Sequence, residues 1–300
     1  MSAYPIAIYG SGLFQDGYPD PPVPYTEQAA QLNAGITTVI LWSIHIHPGG
    51  DLYLNDTLFV SGGEVKYATD GKTGVNPDFP DLVKALVTGG DGSVRDLIVS
   101  VGAWGTTSDF TAWLNDRDQV KTNLGALVSA FGVAGVDFDY ESEDGYTDDD
   151  QSMIVTLTLD VGSLGLYATY CPYTATSFWT GCLTSVYAQN GQTQIVRWMN
   201  LQCYAGGTGN SPTDWAQAVQ AAGETGVSDP YAFIVPGFAV LGADGFGPEE
   251  MQQTFQTFAG TGVTGGFLWN SSGIWSTEAS GGGQPTPADY AQAISAGLGG

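Results

Sequence analysis

Ala134-Gly135-Val136-Asp137-Phe138-Asp139-Tyr140-Glu141 places three carboxylates at alternate positions, with Phe138 and Tyr140 between them and Val136 just before. On a strand, alternate residues share a face and stand about 6–7 Å apart. The three acids therefore point one way and the apolar side chains the other. An apolar back calls for a cover of helices, and a row of acids in front calls for a polar cavity. Crowded carboxylates repel one another, so at least one is expected to have a raised pKa and to keep a proton near neutrality. A protonated carboxyl beside ionised ones is the equipment of a general acid. The bland alternative is an acidic strand end on the surface, and Val136 and Phe138 argue against it.

Seven further apolar runs surround this one. In order, the eight fall at 5–9, 36–46, 97–101, 135–140, 166–170, 198–204, 231–238 and 263–270. Helical patterns separate them, at 26–34, 79–87, 108–130, 211–222, 248–259 and 286–298. Ser108, Ser211 and Thr286 stand where N-caps belong. Residues 147–162 are rich in Thr and Val and have weak helical propensity. Leu52-Tyr-Leu and Leu58-Phe-Val, followed by Glu64-Val-Lys-Tyr, read as a small hairpin at the top of the second strand. Eight strands alternating with helices over short connections predict an α/β fold, one (β/α)8 TIM barrel spanning 1–300 as a single domain with no large inserted domain. In such a barrel the chemistry lies at the C-terminal strand ends. Glu141 directly follows the fourth run.

The charge balance narrows the partners. Against 31 acidic residues stand 7 basic ones, a formal net charge of −24, so nucleic acid and anionic membranes are excluded as expected partners. A neutral polysaccharide suffers no such repulsion. No apolar run approaches the length of a membrane helix. The N-terminus enters a strand at once without a basic stretch, so no signal peptide is read there. The cysteines, Cys171, Cys182 and Cys203, match no zinc spacing. Two readings stand for them: a Cys171–Cys182 disulfide closing a short loop in an exported protein, or buried free thiols.

With the barrel and the acidic strand in place, the chain resembles the family 18 glycoside hydrolases, the chitinases and endo-β-N-acetylglucosaminidases. Their fourth strand carries Asp-Gly-x-Asp-x-Asp-x-Glu, and residues 134–141 match every defined position except the first, where Ala134 stands. Ser100-Val-Gly102-Ala103 is similar to the family's Ser-x-Gly-Gly on the third strand, with its second glycine changed. Gln202-Cys-Tyr204 is similar to the Gln-x-Tyr element of the plant-type, single-domain chitinases. Gly265-Gly266-Phe-Leu-Trp269 resembles the strand that supplies the tryptophan floor of the catalytic subsite.

The resemblance implies an endo-acting chitinase that is exported and monomeric, needs no metal or cofactor, and cuts β-1,4-N-acetylglucosamine linkages with retention. The substrate's own acetamido oxygen would be the nucleophile. Glu141 would protonate the leaving oxygen and later activate water, Asp139 would orient the acetamide, and Asp137 would share a proton with Asp139. Tyr204 would donate to the acetamide carbonyl. Trp269 would stack under the sugar ring. Gln202, Tyr9, Trp104 and Ser100 complete the expected substrate-binding set. Of Tyr9, Trp42, Trp104, Tyr170 and Trp179, about half are expected at sugar subsites and the rest in the core. His45 and His47, with Asp51 nearby, have the makings of a minimal metal site but are expected to be structural. The acidic run after Glu141 is expected to cap the next helix through Thr147 or Asp148. An N-glycan-directed endo-β-N-acetylglucosaminidase is the near alternative, and a non-catalytic chitin-binding lectin the distant one.

Overall fold

The computed structural model describes residues 5–15, 23–67, 76–88, 92–240, 245–276 and 284–300. Its strands, in chain order, are β1 (Ile6–Tyr9), β2 (Thr38–Ile46), β3 (Leu52–Leu54), β4 (Thr57–Ser61), β5 (Glu64–Val65), β6 (Asp96–Val101), β7 (Gly135–Phe138), β8 (Tyr167–Tyr170), β9 (Val196–Gln202), β10 (Ile234–Ala239) and β11 (Gly266–Trp269). Strand β1 pairs in parallel with both β2 and β11, and β2, β6, β7, β8, β9, β10 and β11 follow one another in parallel. The eight form a closed barrel, as the alternation of runs predicts. The far end of β2 pairs antiparallel with β3, and β3, β4 and β5 make the expected excursion at its top.

The surrounding helices are α1 (Tyr25–Leu32), α2 (Phe79–Thr88), α3 (Thr107–Asn115), α4 (Arg117–Phe131), α5 (Asp148–Ser163), α6 (Thr176–Gln189), α7 (Pro212–Ala222), α8 (Pro230–Phe233), α9 (Pro248–Gln256), α10 (Ser271–Ser276) and α11 (Pro287–Gly297). The single helix predicted over 108–130 is two. Asp116 breaks it at φ −122° and ψ 37°, with its carboxylate taken by the Gly49 amide at 2.8 Å. Arg117 then grips Asp160 of α5 with two bonds, 2.7 and 2.6 Å. Ser108 lies inside α3 and is not its cap. Ser211 and Thr286 do cap, and Thr147 forms a capping box with Asp150. Helix α5 forms despite its Thr and Val content because Ile154, Val155, Leu157 and Val161 are buried, and packing outweighs propensity. Helix α6, absent from the sequence-based set, buries Phe178, Trp179, Cys182, Leu183 and Val186. The start of the seventh run turns instead into the short α8, capped by Asp229, and β10 begins at Ile234. Among the described residues no helix is long and apolar enough to cross a membrane.

The back of β7 faces the helices, as read. Phe138 stacks on Trp113 of α3 at 5.6 Å and meets Tyr170 edge-on at 5.8 Å. Two glycines let the site strands approach one another. At Gly102, φ is +93° and a Cβ would lie 2.6 Å from the Asp139 carbonyl oxygen. At Gly135, a Cβ would lie 2.7 Å from the Tyr167 ring and 2.8 Å from its carbonyl oxygen. Gly135→Ala is therefore expected to push β7 from β8 and to cost about 2 kcal/mol, read by urea unfolding. A loss below about 0.5 kcal/mol would mean that Tyr167 yields freely.

Candidate active site

Parallel register sets the first layer of the site. Asp137 is paired directly with Ser100 on β6 and with Thr169 on β8, so all three side chains enter the barrel together. Asp137 is wholly buried. Its Oδ2 accepts from the Tyr9 hydroxyl at 2.9 Å and the Ser100 hydroxyl at 2.8 Å. Its Oδ1 accepts from the Thr169 hydroxyl at 2.5 Å and the Asn200 amide at 3.0 Å. The Asn200 amide is oriented by Trp198, whose indole N–H donates to its oxygen at 2.9 Å. Burial raises the Asp137 pKa, and the four hydrogen bonds only partly offset that.

Asp139 sits one step nearer the mouth, 3 % exposed. The Trp42 indole N–H donates to its Oδ2 at 3.3 Å and the Gln202 amide to its Oδ1 at 3.4 Å. Burial holds its pKa well above the ordinary range, with the charges of Glu141 and Asp137 and a hydrogen bond to Glu141 pushing the same way. Crowding thus acts on Asp139 in the expected direction. Asp137, expected to share a proton with Asp139, has four donors on its two oxygens, and Asp139 has a hydrogen bond to Glu141.

Glu141, half-buried, lies just beyond the strand and bridges to Trp104 on the β6 side. Gln202 of β9 reaches it, Nε2 to Oε1 at 2.9 Å, and so holds both outer acids at once. Gln202 is only 5 % exposed, and its amide nitrogen is spent on Glu141, Asp139 and Cys171. It supports the acids where a sugar contact had been expected. Tyr9 and Ser100, also expected at the substrate, are fully buried with their hydroxyls on Asp137.

Above the acids stand aromatic rings. Trp269 is half-buried and lies parallel to Tyr204 at 5.9 Å, with Trp42 edge-on at 4.9 Å and Tyr9 at 5.3 Å. Burial, with Cys171, Asp139, Glu141 and Asp137 adding, raises the Tyr204 pKa strongly, so its hydroxyl stays a donor. Trp104 is 59 % exposed at the rim, 6.2 Å from Tyr173. Tyr170 and Trp179 belong to the core between barrel and helices, with the Tyr170 hydroxyl on Thr158 at 3.0 Å. His45 pairs with Asp109 at 2.8 Å and His47 stacks on Tyr53 at 4.0 Å, both structural. Cys171, Cys182 and Cys203 are buried free thiols, so the disulfide reading falls.

Thr169, Asn200 and Cys171 escaped the sequence reading. Their signal was the same alternation that exposed the acids. Thr169 and Cys171, like Asn200, Gln202 and Tyr204, are polar positions two apart on otherwise apolar strands.

Comparison with solved structures places the fold. A family GH18 chitinase catalytic domain from the fern Peteris ryukyuensis is 18% identical, covers 98% of each chain and superposes with a TM-score of 0.58. The group IV chitinase of Ostrinia furnacalis, solved with allosamidin, is 13% identical over 99% of both chains, TM-score 0.61. The fold is that of the GH18 chitinases. Human YKL-39 shares it, at 10% identity over 99% of this chain and 100% of its own, TM-score 0.63, and is described as a pseudo-chitinase that retains chitooligosaccharide binding. No protein-family model and no curated protein matches the chain in sequence.

Burial of Asp139 and Asp137 has a consequence for stability. Both have folded-state pKa values above the unfolded value of about 3.9, so the native state binds the extra protons. Their contribution is fully present below that value and is lost as pH rises through the folded values. Thermal melts from about pH 4 to about pH 8 should therefore show a downward slope that Asp139→Asn reduces. An identical slope in the variant would refute the assignment.

Proposed function

We propose that the chain is a family 18 glycoside hydrolase, an endo-acting chitinase that cleaves β-1,4-N-acetylglucosamine linkages with retention. The observation that carries this reading is the stack of Asp137, Asp139 and Glu141 rising toward the mouth of the barrel, with the outer two tied by Gln202 and roofed by Trp269 and Tyr204. A sugar lying on Trp269 presents its acetamide to Tyr204 and Asp139. The Tyr204 hydroxyl donates to the acetamide carbonyl, and Asp139 accepts from its N–H. With substrate bound, the proton held between Asp139 and Glu141 resides on Glu141, and Asp139 is ionised. The carbonyl oxygen attacks the anomeric carbon as the glycosidic C–O bond breaks, and Glu141 delivers that proton to the departing oxygen. Asp139 offsets the positive charge of the oxazolinium ion so formed. Water then attacks the anomeric carbon, Glu141 takes its proton, and the acetamide is regenerated with the original configuration.

The net charge of −24 suits a neutral polymer. On this reading the protein is exported and acts as a monomer on chitin or its oligosaccharides. The test is a mass-spectrometric digest of N-acetylglucosamine hexamer. Dimers to tetramers are expected. An intact hexamer that nevertheless binds would favour a lectin, the state to which the likeness to YKL-39 also points. A hexamer neither cut nor bound would favour an N-glycan-directed endo-β-N-acetylglucosaminidase.

Asp139→Asn should lower kcat about a hundredfold, because the amide keeps the shape but not the charge that faces the oxazolinium ion. Reducing-end release from the hexamer measures it. An unchanged rate would sink the substrate-assisted mechanism.

A further inference from the structure

We propose that Cys171 is a positioning residue of this site: its buried thiol donates to the Tyr9 hydroxyl and so strengthens the support of Asp137 beneath Asp139 and Glu141. The proposal rests on reading these carboxylates as a glycosidase centre.

The geometry assigns each hydrogen. The Tyr9 hydroxyl lies 2.9 Å from Asp137 Oδ2 and 3.0 Å from Cys171 Sγ. It has one proton, and the carboxylate is the stronger acceptor. The other partner of the Tyr9 oxygen must then be a donor, and that donor is the Cys171 S–H. Burial, reinforced by Asp139 and Asp137, raises the Cys171 pKa strongly, so the thiol keeps its hydrogen. The Gln202 amide nitrogen has two hydrogens, and its nearest acceptors are Glu141 at 2.9 Å and the Cys171 carbonyl oxygen at 3.2 Å, so the sulfur at 3.5 Å touches it without receiving a hydrogen. The links run from the Cys171 thiol to Tyr9 and from Tyr9 to Asp137.

Hydrogen bonds in such a series polarise one another. A thiol donating to the Tyr9 oxygen strengthens the Tyr9 bond to Asp137 and favours the ionised form of that acid. The titratable groups facing the thiol are Tyr9 on β1, Asp137, Asp139 and Glu141 on and just beyond β7, and Tyr204 after β9. The other two cysteines lie apart from this network. Cys182 is packed within α6, and Cys203 meets the Leu201 carbonyl at a long 3.6 Å.

Two measurements on the full chain test the proposal. Raman spectra of wild type should contain an S–H stretching component displaced to lower frequency relative to those of Cys182 and Cys203. It should vanish in Cys171→Ala and move back toward the others in Tyr9→Phe. Absence of a displaced component would overturn the bridge. In hydrolysis of N-acetylglucosamine hexamer, Cys171→Ala should lower kcat about tenfold with KM unchanged. The acidic limb of its pH–rate profile should move to higher pH, since Asp137 loses support for its ionised form. Cys171→Ser, which keeps a donor in place, should recover most of the rate and the wild-type profile. An alanine variant with wild-type kcat and profile would refute the role, as would alanine and serine variants losing activity in parallel with melting temperature. A wild type that does not cut the hexamer would sink the glycosidase reading alone, and the Raman spectra would then decide the bridge.

Discussion

Glu141→Gln is expected to lower hydrolysis of the hexamer about a thousandfold while leaving its binding and the melting temperature at wild-type values. General acid–base catalysis needs a proton that can leave and return, and an amide has none to offer. The fold loses little. Glu141 is half-buried beyond the end of β7, and its link to the barrel is the Gln202 amide at 2.9 Å, which the oxygen of a glutamine accepts equally well. Nor does the exchange leave a buried charge unpaired. Reducing-end release gives the rate, and titration of the hexamer against tryptophan fluorescence gives the affinity. Joint loss of binding and stability would make Glu141 structural. Unimpaired hydrolysis would remove it from the chemistry.

Asp137→Ala should have the largest effect on stability, about 3–5 kcal/mol by urea unfolding, or a fall of about 10 °C in Tm. Its carboxylate collects donors from four strands: Tyr9 on β1, Ser100 on β6, Thr169 on β8 and Asn200 on β9. Alanine would leave four buried polar groups without an acceptor and a void among them. Asp137→Asn should cost less, since its oxygen still serves one side while its NH2 group opposes donors on the other. If alanine cost under about 1 kcal/mol, Asp137 would not be holding the barrel interior together. The residue is then a brace across the barrel beneath the two outer acids.

The two variants separate what the same strand does at its two ends. Glu141 stands half-buried where the barrel opens, and on the proposed reading its carboxyl meets the substrate there. Asp137 stands where the barrel is closed, and its energetics belong to the fold. Asp139 lies between them, and its raised pKa comes from being buried next to both.

How much of this was legible beforehand follows from how local each feature is. The eight runs, the excursion after β2 and the shared face of Asp137, Asp139 and Glu141 all rest on period-2 alternation and on apolar runs bounded by turn residues. These are properties of neighbouring residues, and they were read correctly. The break at Asp116 was not, because its cause lies in Gly49 and Asp160, distant in the chain. The burial of Phe178, Trp179, Cys182, Leu183 and Val186 on one side of α6 was equally invisible from its own segment.

The site divides in the same way. Alternation alone puts the acids in one row and tells that the row must be covered. It does not tell which strand lies beside them. Closure of the barrel sets β1 between β11 and β2, and so carries Tyr9 to Asp137 across 128 residues and to Cys171 across 162. That closure gives the Tyr9 hydroxyl its place on Asp137, while the register of β6 on β7 does the same for Ser100. A strand's pattern records which face is polar, because backbone geometry enforces it residue by residue. Hydrogen-bond partners and pKa shifts depend on distances between strands remote in the chain, and those distances exist only once the barrel has closed.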